Sequence, residues 1–238
     1  MKKFLFCTTI SLLLLFSTSC ENDNQNSITQ TEQNEAISVL NENETEEIKT
    51  VENIQNSNIL IVYFSMPEDV DTNGVNAVAG ASIVMNEEQK LGNVQYIAQV
   101  IQQNVGGELF RIETVQNYPL EHDTLVEQAS NEQKNQARPE LKAFPENIED
   151  YDTIFIGYPN WWGDMPMPMY TFLEGIDLSE KTIIPFCPHG GSRFSNTLQS
   201  ISQIQPDAMV SQNGFIISRN DVADAEQNII AWLQSLSL

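Results

Sequence analysis

The chain has 238 residues, a formal net charge of −22 and 41% hydrophobic residues. That apolar fraction is enough for a packed core and excludes wholesale disorder, while the acid excess argues against nucleic acid, or an anionic membrane face reached through a basic patch, as partners. Three cysteines, Cys7, Cys20 and Cys187, are too few for a disulfide framework.

The charge divides the chain into three parts: net +2 over residues 1–20, −8 over 21–57 and −16 over 58–238. Residues 1–20 carry Lys2 and Lys3, an apolar run from Phe4 to Phe16, and then Ser17, Thr18 and Ser19 before Cys20. Such a layout reads as an export signal, too short to span a membrane comfortably. Its end resembles a bacterial lipoprotein signal, which implies that Cys20 becomes the lipid-modified N-terminus. Ser17 stands where that pattern usually has Leu, and Ser17 with Ser19 also fits ordinary small-x-small cleavage and plain secretion. Residues 21–57 are rich in Asn, Glu, Gln, Thr and Ser, with no Pro, Gly or aromatic residue. They cannot bury enough surface to offset their ordering entropy, so the composition predicts a disordered acidic linker, a leash for the domain that follows. Membrane contact is then through the N-terminal lipid alone. Once the signal is cut and Cys20 acylated, Cys187 is the only thiol left.

From Asn58 onward short apolar runs alternate with amphipathic stretches. Ile59–Phe64 reads as a strand buried on both faces. Gly92–Val105 places Val94, Ile97, Ala98, Ile101 and Val105 on one helical stripe. Glu108–Glu113 is the second strand, Leu120–Gln136 a polar helix, Tyr151–Gly157 the third strand and Tyr170–Leu173 part of a short helix. Lys181–Cys187 is the fourth strand, Phe194–Ile204 a helix, and Phe215–Ser218 the fifth strand. Asp221–Leu236 is the last helix, with Val222, Ala225, Ile229, Trp232 and Leu236 inward and Asp221 near its start to favour the dipole. This alternation predicts a three-layer α/β domain over 58–238, a parallel sheet with helices on both faces.

In such sheets ligands sit at the carboxyl ends of the strands, which directs attention to three loops. After the first strand come Ser65, Met66 and Pro67, a long polar insertion, and then Gly92-Asn93-Val94 opening a helix. A helix N-terminus offers free N–H groups to a phosphate, and Gly92 allows close approach; an ordinary Asn-containing helix start has the same sequence. There is no Walker loop and no G-x-G-x-x-G. After the third strand come Tyr158-Pro159-Asn160-Trp161-Trp162-Gly163-Asp164. Adjacent tryptophans point in different directions, so one can enter the core while the other offers a flat face to a heterocycle. After the fourth strand come Pro188-His189-Gly190-Gly191-Ser192-Arg193. Its glycines let the backbone approach a ligand; His189 is a hydrogen bonder or a titrating group, and Arg193 is a counter-charge for an anionic ligand or a surface ion pair.

Together, ILIVYFS at 59–65, Gly92-Asn93, ARPELK at 137–142, YDTIFIGYPNWWGDMPMP at 151–168 and KTIIPFCPHGGSRFS at 181–195 resemble the flavodoxin family, over essentially all of 58–238. The resemblance implies a flavodoxin-like three-layer fold with a five-stranded parallel sheet in the order 2-1-3-4-5. It implies FMN with its phosphate at Ser65, Met66 and Gly92–Val94. The ring system would lie between Pro159, Asn160, Trp161, Trp162 and Gly163 on one side and His189, Gly190, Gly191 and Ser192 on the other, with backbone N–H groups of both loops stabilising particular ring states. Two departures stand out. Residues 66–91 interrupt what in the family is an unbroken phosphate loop, and Val94 replaces its closing Thr. The insertion covers the flavin edge, binds a partner or, at its tip, is simply a flexible loop.

The expected function is that of an FMN-binding redox protein transferring electrons at the cell envelope, docking basic redox partners through its acidic surface. Two rivals stand beside it: an FMN-dependent NAD(P)H/quinone-type oxidoreductase acting on a small substrate, and a binding lipoprotein that keeps the fold without FMN. No G-x-S-x-G elbow supports a hydrolase, and no metal-ligand spacing surrounds His122 or His189.

Overall fold

The computed structural model describes residues 58–69, 71, 77–78, 82–86, 89–236 and 238; the export signal expected over 1–20, the lipidation expected at Cys20 and the linker expected over 21–57 lie outside them. Strand β1 (Ile59–Tyr63) is buried at all five positions. It pairs in parallel with β5 (Glu108–Arg111) on one side and β6 (Thr153–Gly157) on the other. Strand β6 pairs with β7 (Thr182–His189), which carries both β8 (Met209–Val210) and β9 (Phe215–Ser218) on its far edge, all in parallel. Counted as the five strands expected from the sequence, with β9 as the fifth, the order is 2-1-3-4-5. The edge position is split: β8 pairs with Thr182 and Ile183 at the start of β7, and β9 with Phe186 to His189 at its end. A two-residue strand carries no period of its own, so β8 left no trace in the hydrophobic pattern.

Because side chains alternate across a strand, β1 feeds two cores. Ile59, Ile61 and Tyr63 join the cluster under α1 (Asn93–Val105) and α5 (Glu226–Gln234), which includes Ile97, Ile101, Ile229 and Trp232. Leu60 and Val62 join the opposite cluster under α2 (His122–Lys134), α3 (Met167–Gly175) and α4 (Thr197–Ile204), with Leu125, Phe172 and Ile201. All the expected helices are present, with α2, α3 and α4 each differing at their ends. The last one is interrupted: Val222–Asp224 is a 3-10 turn and α5 begins only at Glu226. Asp221 makes no side-chain cap, and Glu226 is the acid in the first turn of α5.

The insertion departs most from expectation. It forms a separate three-stranded antiparallel sheet of β2 (Ala77–Val78), β3 (Ile83–Asn86) and β4 (Gln89–Gly92). Ile83, Val84 and Leu91 are buried, and Val84 and Leu91 pack into the α1/α5 cluster. Strand β4 runs directly into α1, and the Asn93 N–H donates to the Ser82 carbonyl at 2.8 Å. The meander is therefore fastened to the helix start.

Candidate functional site

The loops after β1, β6 and β7 converge at the carboxyl edge of the sheet and are stitched together by hydrogen bonds. The Phe64 N–H donates to Gly157 O at 2.9 Å and the Tyr158 N–H to Phe186 O at 3.2 Å. The Asn160 N–H reaches Pro188 O at 3.2 Å, and its side-chain amide donates to Arg193 O at 2.8 Å and Ser195 Oγ at 3.2 Å. Arg111, at the end of β5, holds the first loop by donating to Ser65 O at 3.1 Å.

These loops enclose a cavity of about 230 Å³. Ser65, Met66, Asn93, Val94, Pro159, Asn160, Trp161, Trp162, His189 and Gly190 line it. Of the residues singled out in the sequence, Gly92, Gly163, Gly191 and Ser192 stand outside the lining. Gly163 (φ 80°) and Gly191 (φ 132°) serve as turn residues in backbone conformations that favour glycine. Arg193 is exposed and also outside the lining; the arginine that lines the cavity is Arg219, just past β9. No periodicity marked Arg219, because its place depends on β9 pairing beside β7.

The tryptophans divide as adjacent residues should. Trp161 is half-buried, edge-on to Phe64 (5.6 Å) and Tyr118 (5.9 Å) in the α2/α3/α4 core. Trp162 is 58% exposed and takes φ 53°, held there by its indole N–H to Val126 O at 3.3 Å. Trp162 is thus the open face of the pair.

The expectation that backbone N–H groups of both ring loops face a ligand is corrected in part. The Asn160 and Trp161 N–H groups go to Pro188 O and Asp164 O, and Gly163 donates to Asn160 Oδ1 at 3.1 Å. The Gly191 N–H donates to His189 Nδ1 at 2.9 Å. These groups shape the loops instead. With Nδ1 accepting, neutral His189 carries its proton on Nε2. Burial, and then the nearby Arg193 cation, holds its pKa below the ordinary histidine value. A lowered histidine pKa means the folded form resists protonation, so the bond is intact above the ordinary value and lost as pH falls through the lowered one. The Gly190–Gly191 turn is expected to loosen in acid, seen as His189 and Gly191 NMR shifts that titrate together below the ordinary histidine range.

The start of α1 fits an anionic group. A Cβ placed on Gly92 would lie 2.1 Å from Ser65 Oγ, so the two loops touch only because residue 92 has no side chain. Ser65 Oγ accepts the Gln95 N–H at 3.4 Å, which leaves its own proton to donate. The Asn93 side-chain oxygen is buried and has no hydrogen-bond partner among the described residues. An unsatisfied buried polar atom costs about 1–3 kcal/mol, which a ligand hydroxyl would relieve, as would a half-turn of the carboxamide that aims its NH₂ at a phosphate. Against this, the Ser82 carbonyl already takes the Asn93 N–H. The insertion also brings Ser82, a hydroxyl residue, to the cavity that Val94 lines without one.

Two further lining residues escaped the sequence reading, Glu68 and His122. His122 opens α2, and its Nδ1 lies 3.0 and 2.9 Å from the two carboxylate oxygens of buried Glu68. They are 54 residues apart, and no local spacing announces the pair.

The sequence matches the Flavodoxin family over residues 85–236. It is similar to a candidate flavoprotein from Bacteroides eggerthii, at 30% identity over 76% of this chain and 98% of that one, with a TM-score of 0.57. A candidate flavoprotein from Bacteroides uniformis follows at 23% identity, 75% and 98% coverage and a TM-score of 0.55. A flavoprotein in complex with FMN from Lactobacillus acidophilus is 17% identical over 70% and 96% of the two chains, with a TM-score of 0.47. No curated protein matches this sequence. Fold, strand order and family match define a flavodoxin-like α/β protein, and the chain belongs to the flavodoxin family.

Proposed function

We propose that the domain binds FMN in the cavity between the β1, β6 and β7 loops and works as a redox protein. The observation that carries this is the Ser65–Gly92–Asn93 junction, where a missing side chain, a free hydroxyl proton and an orphaned buried amide oxygen meet at the start of a helix. Ser65 and Asn93 would hold the phosphate end, at the positive end of the α1 dipole. Trp162, Met66 and the His189–Gly190 turn would bound the ring, while Trp161 braces the loop from the core side. When bound, FMN supplies one- and two-electron chemistry that no protein side chain offers.

The test is a titration of the full chain with FMN and with riboflavin, read by quenching of flavin fluorescence and by the visible spectrum. FMN is expected to bind, and riboflavin at least tenfold more weakly because it lacks the phosphate. Equal affinity would contradict the phosphate assignment, and no binding of either would favour the flavin-free rival.

The acidic surface supports docking to basic protein partners for electron transfer, a process that salt would slow. Residues 1–57 support export and lipid attachment at Cys20. Incorporation of labelled fatty acid into the wild type but not Cys20→Ala tests that part, and equal labelling would contradict it. The Glu68–His122 pair favours the second reading, an oxidoreductase with a small substrate.

A further inference from the structure

Two histidines line the cavity, and their surroundings push them in opposite directions. His189 spends Nδ1 as an acceptor for the Gly191 N–H and is held toward the neutral form. His122 is the reverse. Its Nδ1 faces both oxygens of the Glu68 carboxylate, which can only accept, so Nδ1 carries a hydrogen and donates it. Nε2 is then the ring position that gains and loses a proton. Among the described residues nothing is bonded to Nε2, and the ring lines the cavity with about half of its side chain exposed.

Among the described residues, the charges acting on His122 favour its protonated form. Glu68 comes from the loop after β1, and Glu121 and Asp123 from the start of its own helix; hydrogen bonding to Glu68 is the largest influence raising its pKa. Among the described residues, His189 and Arg219 are the titratable or charged lining groups across the cavity. The geometry is held from outside the pair as well, since the Asp69 N–H donates to Leu120 O at 3.0 Å and ties the Glu68 loop to the turn before α2. Paired titratable groups whose environments separate their pKa values are the pattern of a site that moves protons.

We infer that His122, oriented by Glu68, gives a proton from Nε2 to a small quinone-type acceptor that is reduced by two electrons in the cavity. The inference rests on the reading of the cavity as an FMN site. A quinone becomes a hydroquinone by gaining two electrons and two protons. Reduced FMN, when bound, would supply both electrons together with one proton, as hydride, for one O–H bond. The other breaks from His122 Nε2 and makes the second O–H bond. His122 would be left neutral and the bound FMN oxidised, with solvent returning the proton to the imidazole. Glu68 is a positioning residue here: it fixes the tautomer and favours the charged form of the imidazole.

The test uses the full chain loaded with FMN, reduced with dithionite without oxygen, and mixed with either 1,4-benzoquinone or ferricyanide, which takes one electron and no proton. In His122→Gln the ratio of the quinone rate to the ferricyanide rate is expected to fall about 100-fold, the lower range for general-acid catalysis. In the wild type the quinone rate should fall as pH rises through the His122 pKa, and in Glu68→Gln that fall should move to lower pH. A second measurement needs no flavin: NMR titration of the His122 ring should give a pKa above the ordinary value of about 6.5, lowered in Glu68→Gln. An unchanged rate ratio in His122→Gln, or a ring titration indifferent to Glu68→Gln, overturns the proposal while leaving FMN binding intact. Failure of the wild type to bind FMN overturns the cofactor reading and the proposal with it, and the fluorescence titration shows which has failed.

Discussion

Gly92→Ala is expected to weaken FMN binding about 100-fold while the domain stays folded. The backbone at Gly92 (φ −73°, ψ 150°) suits alanine, so no conformational strain arises. The damage is local. The new methyl would sit 2.1 Å from Ser65 Oγ and 3.2 Å from Pro67 Cδ, so the Ser65 hydroxyl has to swing away. Its bond from the Gln95 N–H is lost, as is its donor to the phosphate. Hydrogen bonds to charged groups contribute about 1.5–3 kcal/mol each, and every 1.4 kcal/mol is tenfold in affinity. Fluorescence titration measures the affinity, and a thermal melt within a few degrees of the wild type shows that the loss is not unfolding. Wild-type affinity for FMN in this variant would place the phosphate elsewhere.

Gly157→Ala is expected to have the largest effect on stability, with a loss of about 3 kcal/mol, at the upper end for overpacking. Gly157 ends β6 and opens the tryptophan loop. A Cβ there would lie 2.1 to 2.8 Å from three atoms of the Phe186 ring, which is fully buried in the α1/α5 core. Neither partner can give: the ring is enclosed, and both backbones are fixed by the β6–β7 register that pairs Gly157 with Phe186. Urea unfolding should show a lower midpoint with an unchanged slope. Adding Phe186→Leu should recover part of the loss, because contacting residues are energetically coupled. Because residue 157 leads into the 158–164 loop, FMN affinity should fall in Gly157→Ala as well.

How far the sequence carried the reading follows from which signals are local. ILIVYF at 59–64 reads as a strand buried on both faces and YDTIFIG at 151–157 as a further strand, and their pairing is parallel as expected. The paired tryptophans and the HGG turn advertised themselves by composition, and most of their residues do line one cavity. What stayed hidden depends on distant partners. Glu68 and His122 are single residues in polar stretches, and only the packing of the β1 loop against α2 brings them together. Arg219 reaches the cavity because β9 lies beside β7. The insertion was misread for a different reason. Its strands are only two to four residues long, too short to set a period of their own, and the burial of Ile83, Val84 and Leu91 depends on their packing as a meander. The N–H groups of the tryptophan loop were credited to a ligand because nothing in the sequence told that Asn160 and Asp164 would use them first.

The claim on which the rest depends is that three loops at one edge of the sheet hold a flavin, phosphate end at α1 and ring between the tryptophan and histidine turns. Crystals of the full chain grown with FMN test it most directly. Density for the phosphate is expected against Ser65 and Asn93, and for the ring between Trp162 and the His189–Gly190 turn. Flavin density at any other place, or an empty cavity in crystals grown at saturating FMN, would contradict it.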